Sequence, residues 1–150
     1  MAEFMKKQGA GMYFNALAAI LGVVGLIAAI ICSNMTVTYR LGNMGQIAML
    51  AIGGVVLCIA AICLPNYFGN RDIAGTVAVL GAIAVYAFAF GAVLSERILL
   101  IAGLFSYDSV NTVGWQVFSV TVVSIAAFLI GDIALIIGAF TKSVKEVTAE

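Results

Sequence analysis

The sequence contains no histidine, and its 150 residues include only seven basic and seven acidic side chains. Without histidine, the chain lacks the side chain most often used as a general base and as a metal ligand, and the usual axial ligand of haem. The formal net charge is zero, so electrostatics do not favour nucleic-acid binding. We therefore expect no nucleic-acid partner, no metal and no other cofactor.

Cysteine, proline and catalytic motifs are equally sparse. The three cysteines, Cys32, Cys58 and Cys63, form no C-x-x-C pair, and we expect small apolar side chains rather than a redox centre. No glycine-rich phosphate loop or nucleophile elbow is present in the sequence. These absences predict that the protein is not an enzyme.

Apolar residues dominate what remains. They make up 64% of the chain against 9% charged residues, with a mean hydropathy of +1.18, whereas soluble domains are roughly 45–50% apolar and about 25% charged. The composition predicts one transmembrane domain over residues 1–150, in direct contact with the lipid bilayer.

Four apolar runs are long enough to cross a membrane, which takes about 20 residues per helix. They cover residues 12–32, 46–64, 73–94 and 117–140. Pro65 follows the second run, where we expect it to end the helix. The sequence therefore predicts an all-α polytopic membrane protein, a bundle of four transmembrane helices.

The basic residues are distributed unevenly over the ends of these spans. Two of them, Arg40 and Arg97, fall in the connections 33–45 and 95–116. The other five lie on the opposite side, and they are Lys6, Lys7, Arg71, Lys142 and Lys145. Because basic residues favour the cytoplasmic side, we expect both termini in the cytoplasm, and a plasma or inner membrane as the location.

The connection after the third span carries a second apolar segment, Ile98 to Phe105, which is too short to cross the membrane. It either lies on the membrane surface or extends the third helix outward, and it either covers the bundle or docks a partner. We name Ile98, Leu99, Leu100, Ile101 and Phe105 as this external patch. The adjacent Glu96 and Arg97 are expected to be headgroup-level charges whose pairing contributes little.

Glycine and alanine are frequent on the first three spans, including Gly22, Gly25, Gly54 and Gly81. Small side chains let helix backbones approach closely, which drives helix association where lipid replaces water. This pattern predicts a compact bundle.

Asp132 is the single acidic residue inside a predicted span. A charge at the bilayer centre costs about 2.5–3.5 kcal/mol on insertion scales, so such residues usually serve a function. At about 1.5 Å rise per residue, Gly81 lies at the same depth as Asp132, with Cys58 nearby and Tyr86 somewhat higher.

Three roles for Asp132 remain open at this point. Protonated, the carboxyl group would hold helices together through a hydrogen bond; in a wet cavity, it would exchange a proton or cation; at a subunit contact, it would pair with a basic residue of another chain.

The sequence favours a non-enzymatic accessory or assembly subunit, associating with other membrane subunits or with itself. The alternative is a proton- or cation-coupled carrier of a small solute that uses Asp132. A weaker alternative is a lipid- or membrane-organising protein that acts through the external patch.

Overall fold

A computed structural model of the chain describes residues 9–68, 73–106 and 110–141. These residues form four helices, α1 (Ala10–Asn34), α2 (Met44–Phe68), α3 (Ile73–Ser106) and α4 (Thr112–Ala139), and no strand lies within the described ranges. Each helix is long and apolar enough to cross a membrane. The predicted four-span bundle is confirmed, and the chain is a multi-pass membrane protein that contacts the lipid bilayer.

The helices pack as a ring in chain order, and α4 closes it against α1. Glycine sets the α1–α4 contact: a Cβ on Gly138 would lie 2.9 Å from Phe14 Cβ and 3.6 Å from the Gly11 carbonyl oxygen. Towards the opposite end, a Cβ on Gly25 would lie 2.9 Å from the Phe128 ring. The two helices are therefore antiparallel, which brings the first and last described residues to one end of the bundle.

The cytoplasmic location of that end remains a prediction. The five basic residues that support it, Lys6, Lys7, Arg71, Lys142 and Lys145, lie outside the described residues. We refer below to the other end, where the 35–43 connection and the end of α3 meet, as the outer end.

Helix α2 continues through Pro65 to Phe68, so the prediction that it stops at Leu64 is wrong. Proline removes one backbone donor and clashes with the carbonyl group four residues earlier. Only three residues of α2 follow Pro65, so the helix ends within one turn of the proline.

Helix α3 is the longest, with 34 residues, which corresponds to about 51 Å at 1.5 Å per residue. The hydrocarbon core of a bilayer is only about 30 Å thick. The external patch belongs to the last turns of this helix, so of the two arrangements predicted for it, the structure has the outward extension of α3.

The buried residues of α3 follow a regular spacing of three, four and four residues. They are Gly75, Ala78, Ala82, Tyr86, Ala89, Val93, Arg97 and Leu104, with the partly buried Leu100 in the remaining position. This eleven-residue repeat corresponds to about 3.67 residues per turn. Because that is close to the 3.6 of an α-helix, the buried face of α3 runs almost parallel to its axis.

Candidate functional site

Tyr86 of α3 is the largest fully buried side chain and lies at the centre of the bundle. Glycines from the three other helices surround its ring: a Cβ on Gly22 or Gly54 would collide with the ring or its hydroxyl group, and one on Gly131 would lie 3.6 Å from Cδ2. The tyrosine therefore occupies a slot that exists because α1 and α2 each place a glycine there, with Gly131 of α4 in ordinary contact on another side.

Polar contacts of Tyr86 join three helices. Its hydroxyl group donates a hydrogen bond to the Ala18 carbonyl oxygen of α1 at 3.2 Å, and the Cys58 thiol of α2 approaches the Tyr86 oxygen at 3.8 Å. From α4, the Phe128 ring packs at a centroid distance of 5.8 Å and an interplanar angle of 46°. Because the bilayer core offers no water as a partner, the Ala18 carbonyl group is essential to burying this hydroxyl group.

Asp132 follows Gly131 on α4 and is only 7% exposed, so its side chain faces the bundle rather than lipid. It lies within electrostatic range of Cys58 and Tyr86, whose side chains contact each other. Gly81 has a different environment, because a Cβ there would lie 3.3 Å from Leu57 Cδ1 of α2.

Two buried oxygens in this half of the bundle have no hydrogen-bond partner among the described residues. They are Asp132 Oδ1 on α4 and Asn15 Oδ1 on the adjacent α1. Ser124 is not their donor, because its hydroxyl group donates to the Gly25 carbonyl oxygen at 2.8 Å. Both oxygens can accept a hydrogen bond or bind a cation.

The outer end holds a second polar cluster, which the sequence did not reveal. Arg97 is only 2% exposed, so this charge is buried within the protein rather than exposed on its surface. Its Nη1 donates to the Tyr39 carbonyl oxygen, and its Nη2 donates to the Cys32 carbonyl oxygen at 3.2 Å and contacts Cys32 Sγ at 3.4 Å. Arg97 follows Tyr86 by eleven residues, so it lies on the same side of α3, which faces the bundle.

Glu96 is also more than a headgroup-level charge. Its two carboxylate oxygens accept hydrogen bonds from the backbone N–H groups of Gly42, at 2.8 Å, and Asn43, at 3.0 Å. These residues directly precede α2, and a helix N-terminus carries unpaired N–H groups and a partial positive charge. Glu96 therefore stabilises the start of α2 from α3, through backbone groups rather than through pairing with Arg97.

Asn111 connects the same cluster to α4. Its Oδ1 accepts a hydrogen bond from the Gly114 backbone N–H at 2.8 Å, which caps the helix, and its Nδ2 donates to the Tyr39 hydroxyl group at 2.7 Å. The outer cluster thus joins all four helices through the 35–43 connection.

A cavity of about 320 Å³ lies within this outer cluster. Its lining combines polar and apolar residues, namely Thr38, Tyr39, Arg40, Glu96, Arg97, Leu99, Leu100, Gly103, Leu104 and Asn111. Leu99 and Leu100 of the external patch therefore face the cavity, whereas Phe105 packs against Trp115 at a centroid distance of 5.1 Å.

The described residues contain no group of three or more histidine, cysteine, aspartate or glutamate side chains that could hold a metal ion. Comparison with protein families, curated proteins and solved structures found no match to this chain. The two polar clusters and the surface of the bundle are therefore the features that bear on function.

The glycine slot predicts a sharp difference between two adjacent glycines of α2. We expect Gly54→Ala to lower the free energy of unfolding by about 1–3 kcal/mol, as overpacking does in tight cores, because the added methyl group would collide with the Tyr86 ring. Gly53→Ala is the matched control, since its Cβ would meet Val85 Cγ1 at an ordinary 3.9 Å. Unfolding in mixed micelles checks both, and equal stability of the two variants would contradict the slot.

The contact of Glu96 with the start of α2 predicts a local effect. We expect Glu96→Ala to cost about 0.5–2 kcal/mol, the usual range for losing a helix cap, and to speed amide hydrogen exchange at Gly42 and Asn43. Ser95→Ala is the control, because the Ser95 hydroxyl group bonds only within α3, to the Ala92 carbonyl oxygen at 3.0 Å. Unchanged exchange at both amides would contradict the capping role.

Proposed function

We propose that this chain is a non-enzymatic subunit of a membrane assembly, which associates with other membrane subunits or with further copies of itself. The observation that carries the proposal is the outer end of α3, where a helix longer than the membrane core keeps apolar side chains on its surface. Ile98 is 55% exposed and Phe105 is 66% exposed.

These two residues form one continuous face. They are seven residues apart, which is two helical turns within about 20°, and Phe105 is held by an edge-to-face contact with Trp115 and another with Phe118 at 5.7 Å. A rigid apolar face beyond the hydrocarbon core favours contact with another protein, because burying it removes apolar surface from water.

The bundle interior supports the same proposal. The tyrosine slot fixes the distances between helices, and the outer cluster holds the starts of α2 and α4 in place. Both features make the bundle a rigid support for the exposed face of α3. Asp132 faces inward, so we assign it a role within the bundle rather than pairing with a basic residue of another subunit.

A proton- or cation-coupled carrier is the second candidate. The observation that favours it is the pair of buried oxygens, Asp132 Oδ1 and Asn15 Oδ1, which have no hydrogen-bond partner in the described part of the chain. Acidic residues inside membrane spans commonly mark ion pathways.

The assembly proposal predicts that a polar residue on the exposed face of α3 weakens association. We expect Ile98→Gln to release the partner subunit or to reduce the number of copies, as read by native mass spectrometry after extraction in a mild detergent. Val110→Gln is the control, because Val110 is 85% exposed near the same end but lies outside the helices. An unchanged complex in the Ile98 variant, or a wild-type chain that purifies as a monomer, would contradict the proposal.

Proton leakage tests the carrier candidate directly. If the chain is an assembly subunit, we expect proteoliposomes of wild type and of Asp132→Asn to hold an imposed pH gradient as long as empty vesicles do, as followed with an encapsulated pH dye. A gradient that decays faster with wild type, and at the rate of empty vesicles with Asp132→Asn, would favour the carrier.

A further inference from the structure

We infer that the outer cavity is a binding site for the phosphate group of an anionic membrane lipid. This inference does not rest on the proposed function, because it concerns the side of α3 that carries Leu99 and Leu100 rather than the face formed by Ile98 and Phe105. It draws on the position, the charge and the lining of the cavity.

The position of the cavity matches the lipid headgroups. Arg97 lies 24 residues beyond the first residue of α3, which corresponds to about 36 Å along the helix. The hydrocarbon core is about 30 Å thick, and headgroups extend the membrane to about 40–45 Å. With the start of α3 at one boundary of the core, Arg97 and the cavity lie at the level of the opposite headgroups.

The charges in the cavity favour an anion. Two guanidinium groups, those of Arg40 and Arg97, line it against one carboxylate, that of Glu96. The Glu96 carboxylate already accepts two backbone N–H groups at the positive start of α2, so it is a weak competitor for either arginine.

Arg97 provides an unsatisfied hydrogen-bond donor beside the cavity. Its two terminal nitrogens are used by Tyr39 and Cys32, but its Nε is buried and has no hydrogen-bond partner among the described residues. A buried, unpaired donor on a charged group is costly, and the planar arginine fork suits phosphate oxygens. Because Nε has almost no accessible surface, a phosphate oxygen would reach it after a shift of the Arg97 side chain towards the cavity, and the exposed Arg40 would contact the same group.

The cavity has an apolar side as well as a charged one. Leu99, Leu100 and Leu104 form one side of the cavity, and a Cβ on Gly103 would meet nothing within 4 Å, so space remains beside them. Leu99, Leu100 and Leu104 follow Arg97 along α3 and therefore lie further from the hydrocarbon core than the phosphate. A lipid with its phosphate against the arginines would extend its chains back towards the core, and these leucines would contact the headgroup substituent.

The test is lipid binding to the delipidated, detergent-purified full chain, with phosphatidylglycerol, zwitterionic phosphatidylcholine and inorganic phosphate as probes. Native mass spectrometry counts retained lipids, and the thermal unfolding midpoint reports stabilisation. We expect phosphatidylglycerol to bind and stabilise the wild type, phosphatidylcholine to do so more weakly, and inorganic phosphate to have no effect at millimolar concentration.

Two variants and a control complete the experiment. Arg40→Gln should weaken phosphatidylglycerol binding roughly tenfold, as expected for losing one charge-assisted hydrogen bond, and it should fold normally because Arg40 is exposed. Arg97→Lys, which keeps the positive charge but removes the guanidinium fork, tests the buried contact and should also weaken binding. Lys142→Gln, which removes the same charge from the sequence after α4, should bind like wild type.

The outcomes separate the possibilities. Equal affinity of wild type and Arg40→Gln, or equal loss in Lys142→Gln, would overturn the site even if Arg97→Lys fails to fold. Stabilisation by inorganic phosphate that matches phosphatidylglycerol and depends on Arg40 would reassign the cavity to a free anion. Binding of both lipids with equal affinity would overturn the requirement for a negative headgroup.

Discussion

A single tyrosine hydroxyl group, buried where lipid excludes water, sets the geometry of the bundle. Tyr86 needs an acceptor inside the protein, and it reaches the Ala18 carbonyl oxygen only because Gly22 and Gly54 leave room for its ring. The glycines, which indicate close helix packing without specifying the partner helix, thus pack largely against helices of the same chain. The distances of α1, α2 and α4 from α3 follow from the thickness of one aromatic ring.

Much of the fold follows from the sequence because lipid imposes a simple length requirement on apolar segments. The prediction that Asp132 lies near Cys58 and Tyr86 in depth has a similar basis, since the rise per residue of a helix is fixed. The environment of Gly81 could not be predicted in this way, because depth does not specify which side of a helix a residue occupies. Rotation about the helix axis depends on packing, which hydropathy does not record.

The outer cluster could not be predicted from charge alone. A charged residue beside a span is usually solvated, yet Arg97 and Glu96 bind backbone groups that lie 53 to 65 residues earlier in the chain. Backbone acceptors and donors carry no sequence signal, so their partners remain invisible until the chain is folded. The signal that was available is periodicity, since Arg97 continues the spacing of small and apolar residues that leads up α3 from Gly75.

Because of that periodicity, the two polar clusters lie on the same side of α3. Tyr86 and Arg97 occupy equivalent positions of successive eleven-residue repeats, so they lie about 16 Å apart and within roughly 20° of each other around α3. One residue inserted between them would turn the outer arginine by about 100° away from the side that the tyrosine faces. Helix α3 can therefore change its length between these residues and keep both clusters only by adding whole turns, such as about seven or eleven residues, so the membrane thickness that it fits changes in steps.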